Sequence, residues 1–231
     1  VAVSAFVGSF FPAYLFAFAE TEISSSVTAV MVSLTPLFTL LISVIIFGEE
    51  LLKKQVIGVI IGFLGIVVLI NNELLSSSFN LLYVMFIVLA AFCYAVNANL
   101  LKYKLPNIPA LGIVFMSFLF MFIPAFIVLF FSEFPFSDFT SDPLILESIV
   151  YIVILALFGT AIAKVMYIKL LAISTPVFSV STTYLMPVVA IFWGLLDGEE
   201  FKLTQFIGTS IILIGVYLVT KKKAPIKGAS N

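Results

Sequence analysis

The feature that most constrains this chain is a series of continuous apolar runs, each about the length a helix needs to cross the roughly 30 Å hydrocarbon core of a bilayer. Eight such runs are separated by charges, prolines or serine clusters. They extend from Val3 to Ala19, Ser24 to Phe47, Gln55 to Ile70, Phe79 to Leu101, Ile108 to Phe131, Leu144 to Ala172, Pro176 to Leu196 and Leu203 to Thr220. They lack the alternation of barrel strands and are far longer than the ~10 residues such a strand uses, so they are predicted to be helices. The first is not expected to be a cleavable leader, because it has no basic flank and another full span follows at once. A soluble core does not need 63% hydrophobic residues with only 10% charged, and the chain is expected to be an all-α integral membrane protein with eight transmembrane helices visible.

Several chemistries are excluded by composition. The chain has no histidine, and its 11 basic residues, all lysine, are balanced by 12 acids. Histidine-based triads and metal clusters are therefore absent, and neither a metal nor another cofactor is expected. Nothing marks a nucleic-acid-binding surface. The single cysteine, Cys93, lies in an apolar run and reads as a small packing residue. The lysines fix an expected orientation. With helices alternating, Lys53, Lys54, Lys102, Lys104, Lys169, Lys221, Lys222, Lys223 and Lys227 fall on one side and only Lys202 on the other. The positive-inside rule then places Asn231, and with an even number of helices Val1 too, in the cytoplasm of a multi-pass protein of the cell membrane, a bacterial inner membrane.

An internal repeat carries the functional reading. Gly48-Glu49-Glu50 followed by Gln55, Ile57 and Gly58 recurs 150 residues later as Gly198-Glu199-Glu200 followed by Gln205, Ile207 and Gly208. The same register pairs Gly65 with Gly215, and a slip of one pairs Pro36 with Pro187 and Gly8 with Gly159. The first three helices are thus copied in the last three. The copies lie five helices apart, an odd number, so each helix and its copy cross the membrane in opposite senses. Inverted repeats of this kind characterise transporters that alternate between two accessible states around a central site.

The stretches Ser25 to Gly48 ending in Gly-Glu, the helix carrying Gly58, Gly62 and Gly65, and Pro176 to Glu199 resemble the drug/metabolite transporter superfamily, specifically its EamA-like family. The resemblance implies a ten-helix bundle of two inverted five-helix repeats (5+5). It also implies export or exchange of small metabolites. On that pattern residues 1–70 are the last three helices of the first repeat and 71–78 the loop between repeats. Residues 79–220 form the second repeat and 221–231 a basic cytoplasmic tail. Two helices, in roughly 70 to 80 residues, are expected before Val1.

Within the spans the sharpest chemical signal is Lys164, in the sixth helix. An ammonium near the bilayer centre costs about 2.5 to 3.5 kcal/mol on insertion scales, so it is expected either to face a cavity or to snorkel to the headgroups. Lys169, nearer the edge, reads as an interfacial anchor. Asn97 and Asn99 are two residues apart and point about 200° from each other, whereas Tyr94 and Asn97 share a face. That face reads either as a wall for a ligand or as interhelical bonding. Thr183 and Tyr184, just before Pro187, are further candidates for the substrate site, and in the repeat register Tyr184 corresponds to Ser33. The glycine stripe reads as packing, Glu49 and Glu199 as loop and cap residues, and Trp193 as an interfacial anchor. No acid falls mid-helix, so transport is expected to be uncoupled or to be coupled through proton exchange at Lys164.

The leading expectation is a secondary transporter, not an enzyme, that moves a small metabolite, amino-acid-like or anionic, through the bilayer by alternating access. The alternatives are a membrane-embedded enzyme, for which the spans supply no paired carboxylates or nucleophile with its base, and a structural or channel-like bundle, against which the inverted repeat argues.

Overall fold

The computed structural model describes residues 1–23, 28, 31–32, 34–50, 52–74, 81–132, 143–186, 189 and 203–220, and every regular element among them is helical. Each of the eight predicted runs carries a helix. α1 spans Ala2–Ala19 and includes a π-helical turn at Phe6–Phe10. α2 covers Thr35–Ile45, α3 Lys53–Leu74, α4 Leu81–Lys104 and α5 Ala110–Phe131. α6 starts as Pro143–Ile154, passes through a second π-helical stretch at Leu155–Ile162 and ends as Ala163–Ile173. α7 is Pro176–Val180 followed by 3-10 turns at Ser181–Leu185, and α8 is Leu203–Thr220. Among the described residues Ala2–Ala19, Leu81–Lys104, Ala110–Phe131 and Glu147–Ile173 are long and apolar enough to span a membrane.

Two elements depart from the hydropathy pattern for local reasons. α3 runs four residues past Ile70, because Asn71, Asn72 and Glu73 end the apolar stretch without breaking a helix. α7 tightens because its hydroxyls bond back to the chain. Ser181 donates to the Val177 carbonyl (2.7 Å), Thr182 to Ser179 (2.7 Å) and Thr183 to Val180 (2.8 Å), drawing the backbone into 3-10 geometry.

The motif after α2 has a conformational cause. Gly48 sits in the left-handed region (φ 64°), which lets its amide bond to Val44 O (3.1 Å) and the Glu49 amide to Ser43 O (3.0 Å), closing the helix. Glu49 then accepts a hydrogen bond from Tyr103 Oη (2.5 Å), whose ring stacks on Phe47 at 4.4 Å, so this acid fastens the loop to α4. Gln55 turns back to accept from the Leu52 amide at the start of α3 (3.2 Å). The repeat mates of Gly48 and Glu49, Gly198 and Glu199, lie outside the described residues, as do Pro187 and Trp193.

α4 is the hub, packing against α1, α2, α6 and α7, while α3 and α8 form the most extensive pair. That pair meets through glycine. A Cβ on Gly58 would lie 2.7 Å from Gly215 O, one on Gly65 3.0 Å from Gly208 O, and one on Gly215 2.5 Å from Gly62 N. Increasing numbers on α3 meet decreasing numbers on α8, so the two helices are antiparallel. Gly58 and Gly208 are repeat mates, as are Gly65 and Gly215, and each touches the mate of the other's partner. Such reciprocal contact is what a two-fold relation between the copies produces. The two π-helical stretches obey the same register, since each contains one member of the Gly8–Gly159 pair.

Candidate functional site

The polar groups that the structure brings together lie where α1, α4, α5 and α6 meet. On α1, Ser4 and Gly8 are one turn apart, the spacing of small residues that lets helices approach closely. Asn97 of α4 enters that gap. A Cβ on Gly8 would overlap the Asn97 amide, and Ser4 Oγ donates to Asn97 Oδ1 at 2.6 Å, with both Ser4 and Asn97 buried. Tyr94, three residues earlier, stacks on Phe16 of α1 with ring centroids 5.8 Å apart. Tyr94 and Asn97 therefore do share the face turned to α1.

Lys164 reaches the same strip from α6. Its Nζ donates to Ser9 Oγ at 2.6 Å, and the Ser9 hydroxyl donates in turn to the Gly8 carbonyl at 2.7 Å. The ring of Phe118 on α5 lies with its centroid 5.8 Å from the ammonium, within cation–π range. Lys164 is half-buried, and among the described residues its partners are this neutral hydroxyl and this ring, with no carboxylate bonded to it. An ammonium has three N–H donors, and Ser9 takes one. The arrangement is suited to receiving an acceptor-rich or anionic group. Among the described residues no group of three or more Cys, Asp or Glu side chains gathers to hold a metal.

The remaining candidates sit elsewhere. Asn99 faces α2, opposite Asn97. It accepts from Ser43 Oγ (2.7 Å) and donates to the carbonyls of Ala95 (2.9 Å) and Thr39 (3.3 Å), so its amide is consumed in joining α4 to α2. Tyr184 is fully buried, with its ring against Gly62 and its hydroxyl donating to Val59 O (3.0 Å). The Thr183 hydroxyl is engaged with Val180 O within its own helix. The structure thus joins Lys164, Asn97 and Tyr94 along α1 and leaves Thr183 and Tyr184 at α7, while Ser33 lies outside the described residues. Ser4, Ser9 and Phe118 were not singled out from sequence. The Ser4-x-x-x-Gly8 spacing is the signal that could have found the first, whereas Ser9 and Phe118 are set by tertiary packing alone.

The EamA-like transporter family model matches residues 1–71 and 81–221. The chain belongs to the EamA-like transporter family. It is 29% identical over 209 residues to an uncharacterized transporter of Archaeoglobus fulgidus, covering 88% of this chain and 71% of that protein. It is 28% identical over 204 residues to the uncharacterized inner membrane transporter YedA of Escherichia coli K12, covering 87% of this chain and 64% of YedA. This EamA-like chain therefore spans about two thirds of the length of YedA. A solved crystal structure shares the fold with a TM-score of 0.73 at 18% identity, over 95% of this chain and 75% of that one. The all-helical, multi-pass membrane architecture read from hydropathy and the family read from the Pro and Gly-Glu motifs are both borne out.

Proposed function

We propose that the protein is a secondary transporter that carries a small metabolite by alternating access, with the ligand held between α1, α4 and α6 at Lys164, Asn97 and Tyr94. The observation that carries this reading is the Lys164 ammonium, set among a hydroxyl and an aromatic ring in a membrane-spanning helix. Such a charge costs stability unless a ligand or water uses it. Thr183, Tyr184 and Ser33 belong to the outer circle of the same proposal, as residues of the repeat-related α2 and α7 regions. Family membership supports transport, and the reciprocal packing of α3 and α8 supports two copies that rock about a shared axis.

The proposed ten-helix plan, with two helices preceding Val1, gains support from an asymmetry. α1 packs on α4 and α5, whereas residues 151–160 of its copy α6 are exposed throughout. In liposomes the full-length protein should show saturable uptake of the substrate found by a metabolite screen, with counterflow accelerated by substrate on the opposite side. Uptake rising linearly with concentration would identify a channel-like bundle instead.

For orientation, the lysine asymmetry supports an inner membrane protein with both Val1 and Asn231 in the cytoplasm. Cysteines introduced singly at Ser137 and Lys222 should label differently with a membrane-impermeant thiol reagent on intact cells, the first strongly and the second only after lysis. The reverse pattern would invert the topology.

A further inference from the structure

Away from the Lys164 site, a cleft of about 380 Å³ opens where the C-terminal ends of α4 and α6 meet the start of α5. Its volume is in the range of small-ligand sites. Its lining has two characters. Ile113, Ile168 and Leu171 form an apolar floor, and Lys102, Lys169 and Asn107 supply polar groups. Those three apolar residues are themselves buried core, so the floor is firm. Lys102 is fixed in place, its Nζ donating to the Leu171 and Ala172 carbonyls at 2.9 and 3.0 Å. Those bonds cap the end of α6 and leave one N–H of the ammonium uncommitted. Lys169 is exposed beside it.

The position decides what such a cleft can take. It lies at the ends of helices long and apolar enough to span a membrane, which sets it at the level of the headgroups, and its lining residue Ile108 is 39% exposed at the rim. Two cations above an apolar floor at that depth complement an amphiphile that has a phosphate head and acyl chains, whereas a soluble anion would leave the floor unused. We propose that this cleft is a binding site for an anionic glycerophospholipid, with the phosphodiester held between Lys102 and Lys169 and the acyl chains running along α5 and α6. The site is independent of the transport reading, since it shares none of the residues assigned to the substrate.

The test is native mass spectrometry of the full-length protein in detergent, with phosphatidylglycerol and phosphatidylcholine of identical acyl chains supplied in equal amounts. The expected result is at least a fivefold preference for retained phosphatidylglycerol. Lys169→Met should reduce that preference to near unity. Lys53→Met, which removes a lysine outside the cleft, should leave it intact. Lys169→Met is the informative variant because Lys169 caps no helix, and an unchanged melting temperature will show that its fold is kept. Millimolar inorganic phosphate should not displace the bound lipid. Equal retention of the two lipids, an equal loss on Lys53→Met, or displacement by inorganic phosphate would each overturn the proposal, the last pointing to a soluble anion.

Discussion

Lys164→Met should lower the apparent affinity for an anionic or zwitterionic substrate in liposomes by about 10- to 100-fold, the equivalent of a charge-assisted hydrogen bond worth roughly 1.5 to 3 kcal/mol. The same variant should be at least as stable as the parent to heat in detergent, since removing an ammonium from a spanning helix relieves an insertion cost of about 2.5 to 3.5 kcal/mol. Weaker transport with retained or improved stability is the signature of a charge kept for its ligand. Lys169→Met should change uptake less than about twofold, as exposed interfacial charges contribute little. Should Lys164→Met transport at the parental rate with unchanged affinity and pH dependence, the lysine is an interfacial anchor and coupling through it fails. Ser9→Ala refines the result. It removes the hydroxyl that occupies one donor of the ammonium at 2.6 Å while leaving the charge, so it should preserve anion selectivity where Lys164→Met abolishes it.

The second large effect is expected at the α3–α8 contact. Gly215→Ala would place a methyl group 2.5 Å from Gly62 N and 2.7 Å from Gly62 Cα. Backbone cannot swing aside as a side chain can, so the helices must separate along their length. Overpacking of this kind costs about 1 to 3 kcal/mol, and the helix-propensity gain of about 1 kcal/mol for Gly to Ala only partly offsets it. Gly65→Ala should behave alike, with its methyl 2.7 Å from Ile212 N. The control is Gly112→Ala on α5, where the nearest atom is Ile108 Cγ2 at 3.7 Å and the propensity gain should appear unopposed. Melting temperatures of the three variants in one detergent measure the comparison. Equal melting temperatures at positions 215 and 112 would show that the glycine contact is slack.

Much of the fold was legible because the bilayer forces regularity on the chain. A backbone in hydrocarbon must satisfy its own hydrogen bonds, so apolar length alone marks helices, and the Gly-Glu-Glu repeat gave the register of the copies. The separation of Asn97 from Asn99 was legible too, since two residues along a helix fix the angle between their side chains. What each asparagine meets was not. Beyond the Ala95 carbonyl of its own helix, Asn99 meets Ser43 and Thr39, and the Asn97 Oδ1 meets Ser4, because helices more than fifty residues apart in sequence pack there, and no local pattern encodes that neighbour. The π-helical stretches of α1 and α6 were equally hidden. They insert one residue into the hydrogen-bond ladder without altering the apolar composition that hydropathy reads. Lys164 stood out on charge alone, but its bond to Ser9 depends on how α6 leans on α1.

The α3–α8 pairing bears on how such a chain came to exist. A surface that fits its own copy after a half-turn is what two identical polypeptides, inserted head-up and head-down, require in order to associate, and no covalent link between them is needed. The stripe Gly58, Gly65, Gly208, Gly215 still has that self-matching form. It has also begun to diverge. Gly62 makes room for the Tyr184 ring, while the corresponding positions of the other copy hold Ile212 and Ser33, so the two copies distribute bulk differently. The copies are unequal in charge as well, since the Lys164 ammonium on α6 has Ala13 as its mate on α1.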